Sequence, residues 1–243
     1  MKLAVIGGTG LIGSQVVQKL AAAGHEAEPY SKSTGVDVLT GRGLAEAVAG
    51  ADTVVNLTNS PTFDDASLPF FRTSMDNLLT AAQKGEVGHL VILSIVGAER
   101  VPDAAYYRAK VLQENTLKAG PIPYSIVRAT QFMEFVDAVM SWTTEGDIVR
   151  LPTTALQPIA AADVSDAVAE VAAGTPLNGT LDIAGPEVFP LDDLGRITLH
   201  ARPDGRTVVT DDTAGFFASV HGDALTAKGD VRLAPTHYRD WLS

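Results

Sequence analysis

The chain contains no cysteine, which excludes disulfides, thiolate metal sites and a cysteine nucleophile. It has no uninterrupted apolar run near the roughly 20 residues that a bilayer-crossing helix requires. Its first residues already read as strand, without a basic leader segment. The expectation is therefore a cytoplasmic protein with no membrane association. Basic residues are scarce: 18 Lys and Arg against 29 Asp and Glu leave a formal charge of −11. A nucleic-acid surface needs clustered cations to neutralise phosphates, and the cations here are scattered, so no nucleic-acid partner is expected. An anionic ligand must instead be held by local backbone dipoles and a few placed cations. No metal site is expected.

The chain is organised around the stretch Leu3-Ala4-Val5-Ile6-Gly7-Gly8-Thr9-Gly10-Leu11-Ile12-Gly13. A short apolar run suited to a strand buried on both faces breaks into glycines, then resumes at helical spacing with Ile12, Val16, Val17, Leu20 and Ala23. Gly24 is placed to stop that helix. In Gly7-x-x-Gly10-x-x-Gly13, Gly7 can take a positive φ, Gly10 has no Cβ to hold a pyrophosphate off the main chain, and Gly13 lets the helix lie close on the strand. The free N–H groups at the helix start, around Thr9, Leu11 and Ile12, would face the phosphates. The strand before and the helix after supply the context that makes this a dinucleotide-binding turn rather than a bare tight turn.

Further along, His25 to Lys32 reads as a second strand with Pro29 near its end. Where a dinucleotide fold reads the adenosine ribose, an acidic residue suits a 2′-hydroxyl, whereas a cation and hydroxyls suit a 2′-phosphate. Tyr30-Ser31-Lys32-Ser33 has the second character, so NADP(H) is favoured over NAD(H), with Ser31, Lys32 and Ser33 as the phosphate contacts. Val36-Asp37-Val38 reads as a short strand or its exit, and Thr53 to Leu57 as a fourth, buried strand. Asp37, Asn56, Leu57 and Thr58 lie where adenine and ribose would be met, although Asp37 and Asn56 can equally cap turns. Phe71, Met75, Leu78, Leu79 and Ala82 share one helical face and read as core.

The fifth expected strand, His89 to Ser94, ends in Ser94, and Tyr106 opens a helix about twelve residues later with Lys110 one turn on, on the same face. Tyr124 to Arg128 reads as a sixth strand, Gln131 to Trp142 as a helix, Asp147 to Leu151 as a strand, and Ala162 to Ala173 as a helix with Asp163 at its start as cap or dipole partner. No repeat or low-complexity linker divides the 243 residues.

The glycine spacing, the strand-end Ser94 and the Tyr106-x-x-x-Lys110 pair resemble the short-chain dehydrogenase/reductase superfamily. The turn Gly-Gly-Thr-Gly, the segment Leu93-Ser94-Ile95-Val96-Gly97 and Val127-Arg128-Ala129-Thr130-Gln131-Phe132 are similar to its atypical, NmrA-like NAD(P)H-binding branch. The resemblance implies a Rossmann α/β fold, a doubly wound parallel sheet with a small C-terminal substrate-side addition. It implies a single NAD(P)-binding domain over residues 1–243, with residues from about 129 onward forming the substrate side. It implies an oxidoreductase acting on a small carbonyl, quinone-like or related substrate. In that reading Tyr106 is the proton donor, Lys110 binds the nicotinamide ribose and lowers the phenol pKa, and Ser94 orients the carbonyl. Tyr107 is the rival for the donor position. The family's further active-site Asn has no counterpart, and Ala129 stands where many extended relatives carry Pro. Gln131, Phe132 and Phe135 are the substrate-side candidates. A non-catalytic redox sensor and a nucleotide-sugar epimerase or dehydratase are the alternatives, and the expected state is monomer or homodimer.

Overall fold

A computed structural model describes all residues, 1–243. The chain forms twelve strands and eight α-helices. The largest sheet has seven strands in the order β12-β9-β5-β4-β3-β1-β2: β1 Lys2–Ile6, β2 Glu26–Tyr30, β3 Thr53–Asn56, β4 His89–Ile95, β5 Tyr124–Ala129, β9 Gly179–Ala184 and β12 Arg232–Leu233. The β1–β2, β1–β3, β3–β4 and β9–β12 pairs are parallel. This is the Rossmann α/β arrangement, in which β3 crosses to the opposite side of β1 from β2. Strand β2 lies at the sheet edge, which explains how Pro29 is tolerated opposite Val5. The expected strand at Val36–Val38 is absent: a 3₁₀ turn at Lys32–Thr34 precedes this stretch, which is irregular chain leading into a turn, so the later strands each move down one place in the order.

The chain divides into two compact units. The first comprises Met1–Ser94, Ala104–Arg128 and Val164–Leu181; the second comprises Ile95–Asp103, Ala129–Asp163 and Asp182–Ser243. In the first, β1, β3 and β4 are buried along almost their whole length, as parallel strands covered on both faces must be. Helix α1 (Leu11–Ala22) buries Ile12, Gly13, Val16 and Leu20, while Ala23 is exposed beyond it. Helix α3 (Ser67–Lys84) buries Phe71, Met75, Leu78 and Ala82, the stripe that the 3.6-residue period indicates. It packs along α4 (Ala105–Lys118).

In the second unit a three-stranded sheet has the order β11-β7-β6, from Thr207–Thr210, Ile148–Leu151 and Thr144–Glu145. Helix α7 (Leu191–Ala201) packs on this sheet, and a Cβ on its Gly195 would lie 2.5 Å from Leu151 Cδ1. The helix expected from Gln131 is a 3₁₀ turn at Met133–Phe135 followed by α5, Val136–Trp142. The start of α6 (Ala161–Ala173) is capped by Glu134, whose carboxylate oxygens both accept the Ala161 N–H at 3.1 Å. Asp163, the expected cap, instead accepts the Thr236 N–H at 3.3 Å. A carboxylate 27 residues away satisfies the helix start, a pairing that local spacing does not reveal.

His89 is buried at the start of β4. Its Nε2 lies 2.8 Å from Ser125 Oγ, and its Nδ1 is buried without a partner. Burial lowers its pKa from 6.5 to about 4. A histidine depressed in the folded state protonates more readily when unfolded, so its contribution is complete above pH 6.5 and is lost as pH falls from 6.5 toward 4. That gap corresponds to roughly 3 kcal/mol. Urea unfolding should therefore show stability declining between pH 6.5 and 4.5, and the decline should be smaller in His89→Phe.

Candidate functional site

The glycine turn holds its shape by backbone contacts that side chains would obstruct. Gly7 has φ +84°, the left-handed region that favours glycine. The N–H groups of Gly7 and Gly8 both donate to the Tyr30 carbonyl, at 2.7 and 3.1 Å, tying the turn to the end of β2. A Cβ on Gly8 would lie 2.6 Å from Pro29 Cα, and one on Gly13 would lie 2.2 Å from the Gly7 carbonyl oxygen. Gly10 differs: a Cβ there would meet only the Gly7 oxygen, at 3.4 Å. Its bare side faces open space.

Helix α1 begins directly after Gly10 with no side-chain cap and no acidic residue in its first turn. The first intrahelical bond is from Ser14 N–H to the Gly10 carbonyl at 2.9 Å. The N–H groups of Leu11, Ile12 and Gly13 therefore have no intrahelical acceptor, by helix geometry. Together with exposed Thr9, they form an uncapped positive helix end beside a glycine with an open face. A dinucleotide pyrophosphate fits this cradle in both charge and space.

At the end of β2, Ser31 opens the 3₁₀ turn, and its hydroxyl lies 2.7 Å from the Ser33 hydroxyl. The Lys32 side chain is 68% exposed, with Nζ 3.8 Å from Asp37 Oδ2. Asp37 uses its other oxygen to accept the Leu39 N–H at 2.9 Å. Buried Asn56 is also occupied within its own loop: Oδ1 accepts Thr58 N–H at 3.1 Å and Thr58 Oγ1–H at 2.7 Å. Its side chain shapes the turn, leaving the Leu57–Thr58 backbone to line the strand end. Leu57 N–H donates to Ile6 O at 2.8 Å.

On α4 both tyrosines are buried. The Tyr106 hydroxyl donates to Asn59 Oδ1 at 2.8 Å. Its ring is walled by Phe63, Phe71 and Tyr107, with centroids at 4.8, 6.3 and 5.9 Å. Burial raises its pKa to about 12, and the hydrogen bond to Asn59 opposes that rise. Burial also pushes the Tyr107 phenol far up, with the neighbouring Tyr106 adding to the effect.

Lys110, 4% exposed, donates to the Leu93 carbonyl at 2.8 Å and to Gln113 Oε1. It sits 4.7 Å from the centroid of the Phe71 ring. Burial lowers its pKa to about 7, with Glu114 acting in the opposite direction. The Tyr106 phenol is raised, and the group that opposes the rise is Asn59.

Ser94 Oγ is buried with no hydrogen bond of good geometry, although its hydroxyl contributes to holding the Glu114 carboxyl low. Burial alone would raise Glu114; Arg128, bonded through Nε and Nη2 at 2.7 and 2.6 Å, and Lys118 at 3.1 Å bring it down. Sequence spacing indicated neither this ion-pair cluster nor Asn59, which lies 47 residues before Tyr106. The loop after β3 was identifiable as a strand-end loop, but nothing in its composition pairs it with α4.

The substrate-side candidates all lie in the second unit. The Gln131 carbonyl accepts the Ile159 N–H at 2.9 Å, while its side-chain Oε1 and Nε2 are both buried without a partner. Phe132 bridges to Ile159, and Phe135 packs edge-on against Trp142 at 5.1 Å.

A model of an NAD(P)H-binding family matches residues 7–174. Among curated proteins, the photosystem II assembly factor Ycf39 of Synechocystis is 25% identical over 151 residues, 55% of this chain and 46% of that protein. The chain thus matches less than half the length of this relative. Among solved structures, a nucleoside-diphosphate-sugar epimerase from Staphylococcus aureus covers 100% of this chain and 99% of its own, with a TM-score of 0.75 at 16% identity. The UDP-glucose 4-epimerase of Thermus thermophilus, complexed with NAD, covers 86% of each chain with a TM-score of 0.72 at 17% identity. The triphenylmethane reductase of Citrobacter sp., complexed with NADP(H), covers 87% of this chain and 79% of its own with a TM-score of 0.66 at 20% identity. These likenesses concern the fold. No helix is long and apolar enough to cross a membrane. With the glycine cradle built and the family model spanning well over half of its residues, the chain belongs to the NAD(P)H-binding family.

Proposed function

We propose that the protein is an NADP(H)-dependent oxidoreductase that reduces a small carbonyl, quinone-like or related substrate, with Tyr106 as proton donor. The observation that carries this reading is the pairing of ionisable residues on one compact unit with the glycine cradle. Tyr106, its hydroxyl oriented by a 2.8 Å hydrogen bond, and Lys110, its pKa brought to about 7, stand one turn apart on α4. A protein that only bound the dinucleotide would have no need of an oriented proton donor.

When bound, the dinucleotide supplies the hydride; the remaining steps fall to the chain. Backbone N–H groups of Leu11, Ile12 and Gly13 hold the pyrophosphate, with Thr9 beside them. Gly7 shapes the turn and Gly10 admits the phosphates. Ser31, Lys32 and Ser33 hold the 2′-phosphate; the exposed lysine and the paired hydroxyls support this. Asp37, Asn56, Leu57 and Thr58 border the adenosine, Asn56 through the loop it shapes. Lys110 binds the nicotinamide ribose, which requires it to exchange its present acceptors for ribose hydroxyls. Ser94, whose Oγ lacks a well-formed hydrogen bond, orients the substrate oxygen, and Tyr106 delivers its proton there.

Residues from about 129 onward contribute the substrate side, with Phe132 and Phe135 offering apolar surface. Gln131, whose amide has both donor and acceptor free, would pair with a polar substrate group, because a buried amide left unpaired is costly. The same Rossmann core occurs in sugar-nucleotide epimerases, which keeps that reading as the second. A non-catalytic redox sensor is the third, and the covered ring of Tyr106 is the observation that favours it.

Three measurements test this. Fluorescence titration should give tighter binding of NADPH than of NADH. Lys32→Ala should narrow that gap by about 1.5 to 3 kcal/mol, the value of a hydrogen bond to a charged group; equal affinities in the parent would refute the 2′-phosphate assignment. Gly10→Val should fold normally, since its Cβ direction is open, yet lose NADPH affinity by about tenfold or more. Tyr106→Phe should retain NADPH binding and slow turnover by roughly 10²- to 10⁴-fold against whichever substrate a panel of carbonyls and quinones yields. Tyr107→Phe serves as its control, and a silent Tyr106→Phe with full turnover removes the proton-donor role.

A further inference from the structure

We infer that Asn59, on the loop after β3, is the positioning residue for the Tyr106 phenol, accepting its hydrogen in the resting state and donating to its oxygen once the proton has left. The inference rests on the proton-donor role proposed above for Tyr106. The geometry is one-sided. Phe63, Phe71 and Tyr107 pack against the ring of Tyr106 and hold its plane. An aromatic wall does not restrain rotation of the hydroxyl about its C–O bond, and the hydrogen bond to Asn59 Oδ1 does. In this structure Lys110 is engaged by the Leu93 carbonyl and Gln113.

The single phenol hydrogen first turns from Asn59 Oδ1 to the substrate oxygen; when the O–H bond then breaks and that hydrogen bonds to the substrate oxygen, the electron pair stays on the phenol oxygen in a largely desolvated pocket. An amide has an acceptor and a donor on one carbon. Asn59 is exposed, so half a turn about its Cβ–Cγ bond can replace Oδ1 with Nδ2–H. The phenolate then accepts a hydrogen bond where the phenol had donated one, and water returns the proton afterwards. An Asn59 N–H turned onto the phenolate opposes the effect of burial on the phenol pKa. The loop that carries Asn59 is held beside α4 by Phe63 against Tyr106 and by Asp65 at 3.3 Å from Arg108.

Asn59→Ala and Asn59→Asp test the inference together. Aspartate preserves the shape and the acceptor but lacks the N–H, so a residue needed only to accept would be replaced without loss. Both variants should lower kcat about ten- to a hundredfold, leave KM and NADPH affinity within about twofold, and move the pH limb governed by the phenol to higher pH. Aspartate should move it further, because its charge opposes a phenolate. Unchanged thermal unfolding, expected for an exposed side chain, would exclude a folding cause.

A readout free of substrate comes from tyrosine labelled with ¹³C at Cζ. The Tyr106 signal, assigned by its loss in Tyr106→Phe, should shift in Asn59→Ala and begin to titrate at higher pH. The inference is overturned if Tyr106→Phe abolishes turnover while both Asn59 variants keep the parent kcat and pH limb, or if the Tyr106 signal is unmoved in Asn59→Ala. A silent Tyr106→Phe overturns the proton-donor role and this inference with it, a pattern distinct from the other two.

Discussion

The approach of a backbone turn to the strands beside it is the constraint on which the rest depends. Two N–H groups, those of Gly7 and Gly8, converge on one carbonyl at the end of β2. That convergence is possible only because Pro29 and the Gly7 oxygen meet no side chains at Gly8 and Gly13. If a Cβ is placed at either position, the turn must open, the start of α1 moves, and the uncapped N–H groups no longer converge. In a chain with a formal charge of −11, those backbone dipoles and the single Lys32 near the end of β2 supply the local positive potential that an anionic ligand needs.

Burial governs the chemistry of α4. Tyr106, Lys110 and Glu114 occupy successive turns of one helical face and are all buried, but their environments differ. Glu114 is held ionised by Arg128 and Lys118. Lys110 has neutral acceptors and an aromatic ring, so burial acts on it largely unopposed and brings it to about 7. Tyr106 is pushed the other way, to about 12. The same loss of solvent lowers the cation and raises the acid, so the two groups are tuned by what each touches. The proton-donor reading therefore depends on local partners, which makes the loop after β3 as important to it as the helix.

The two compact units hold different features. The first holds the glycine cradle, the β2 turn and the ionisable face of α4; the second holds the free amide of Gln131 and a small sheet with its own helix. The solved structures of similar fold include a reductase and two epimerases. The core is thus compatible with more than one chemistry, as is expected where function resides in sites added to a shared fold.

Much of this was legible from the sequence because it is encoded locally. The strand–glycine–helix pattern located the cradle, the 3.6-residue period identified the core stripe of α3, and a spacing of four put Tyr106 and Lys110 on one face. A positive φ at Gly7 and a stop at Gly24 follow from the residue types themselves. The tertiary structure alone decided what each buried group touches. It gave the start of α6 to Glu134, turned Val36–Val38 from strand into loop, occupied Asn56 with its own turn, and placed Asn59 at the Tyr106 hydroxyl. Backbone conformation and periodicity depend on neighbours within a few residues, whereas hydrogen-bond partners and desolvation depend on chain segments tens of residues apart, a separation that no local pattern records.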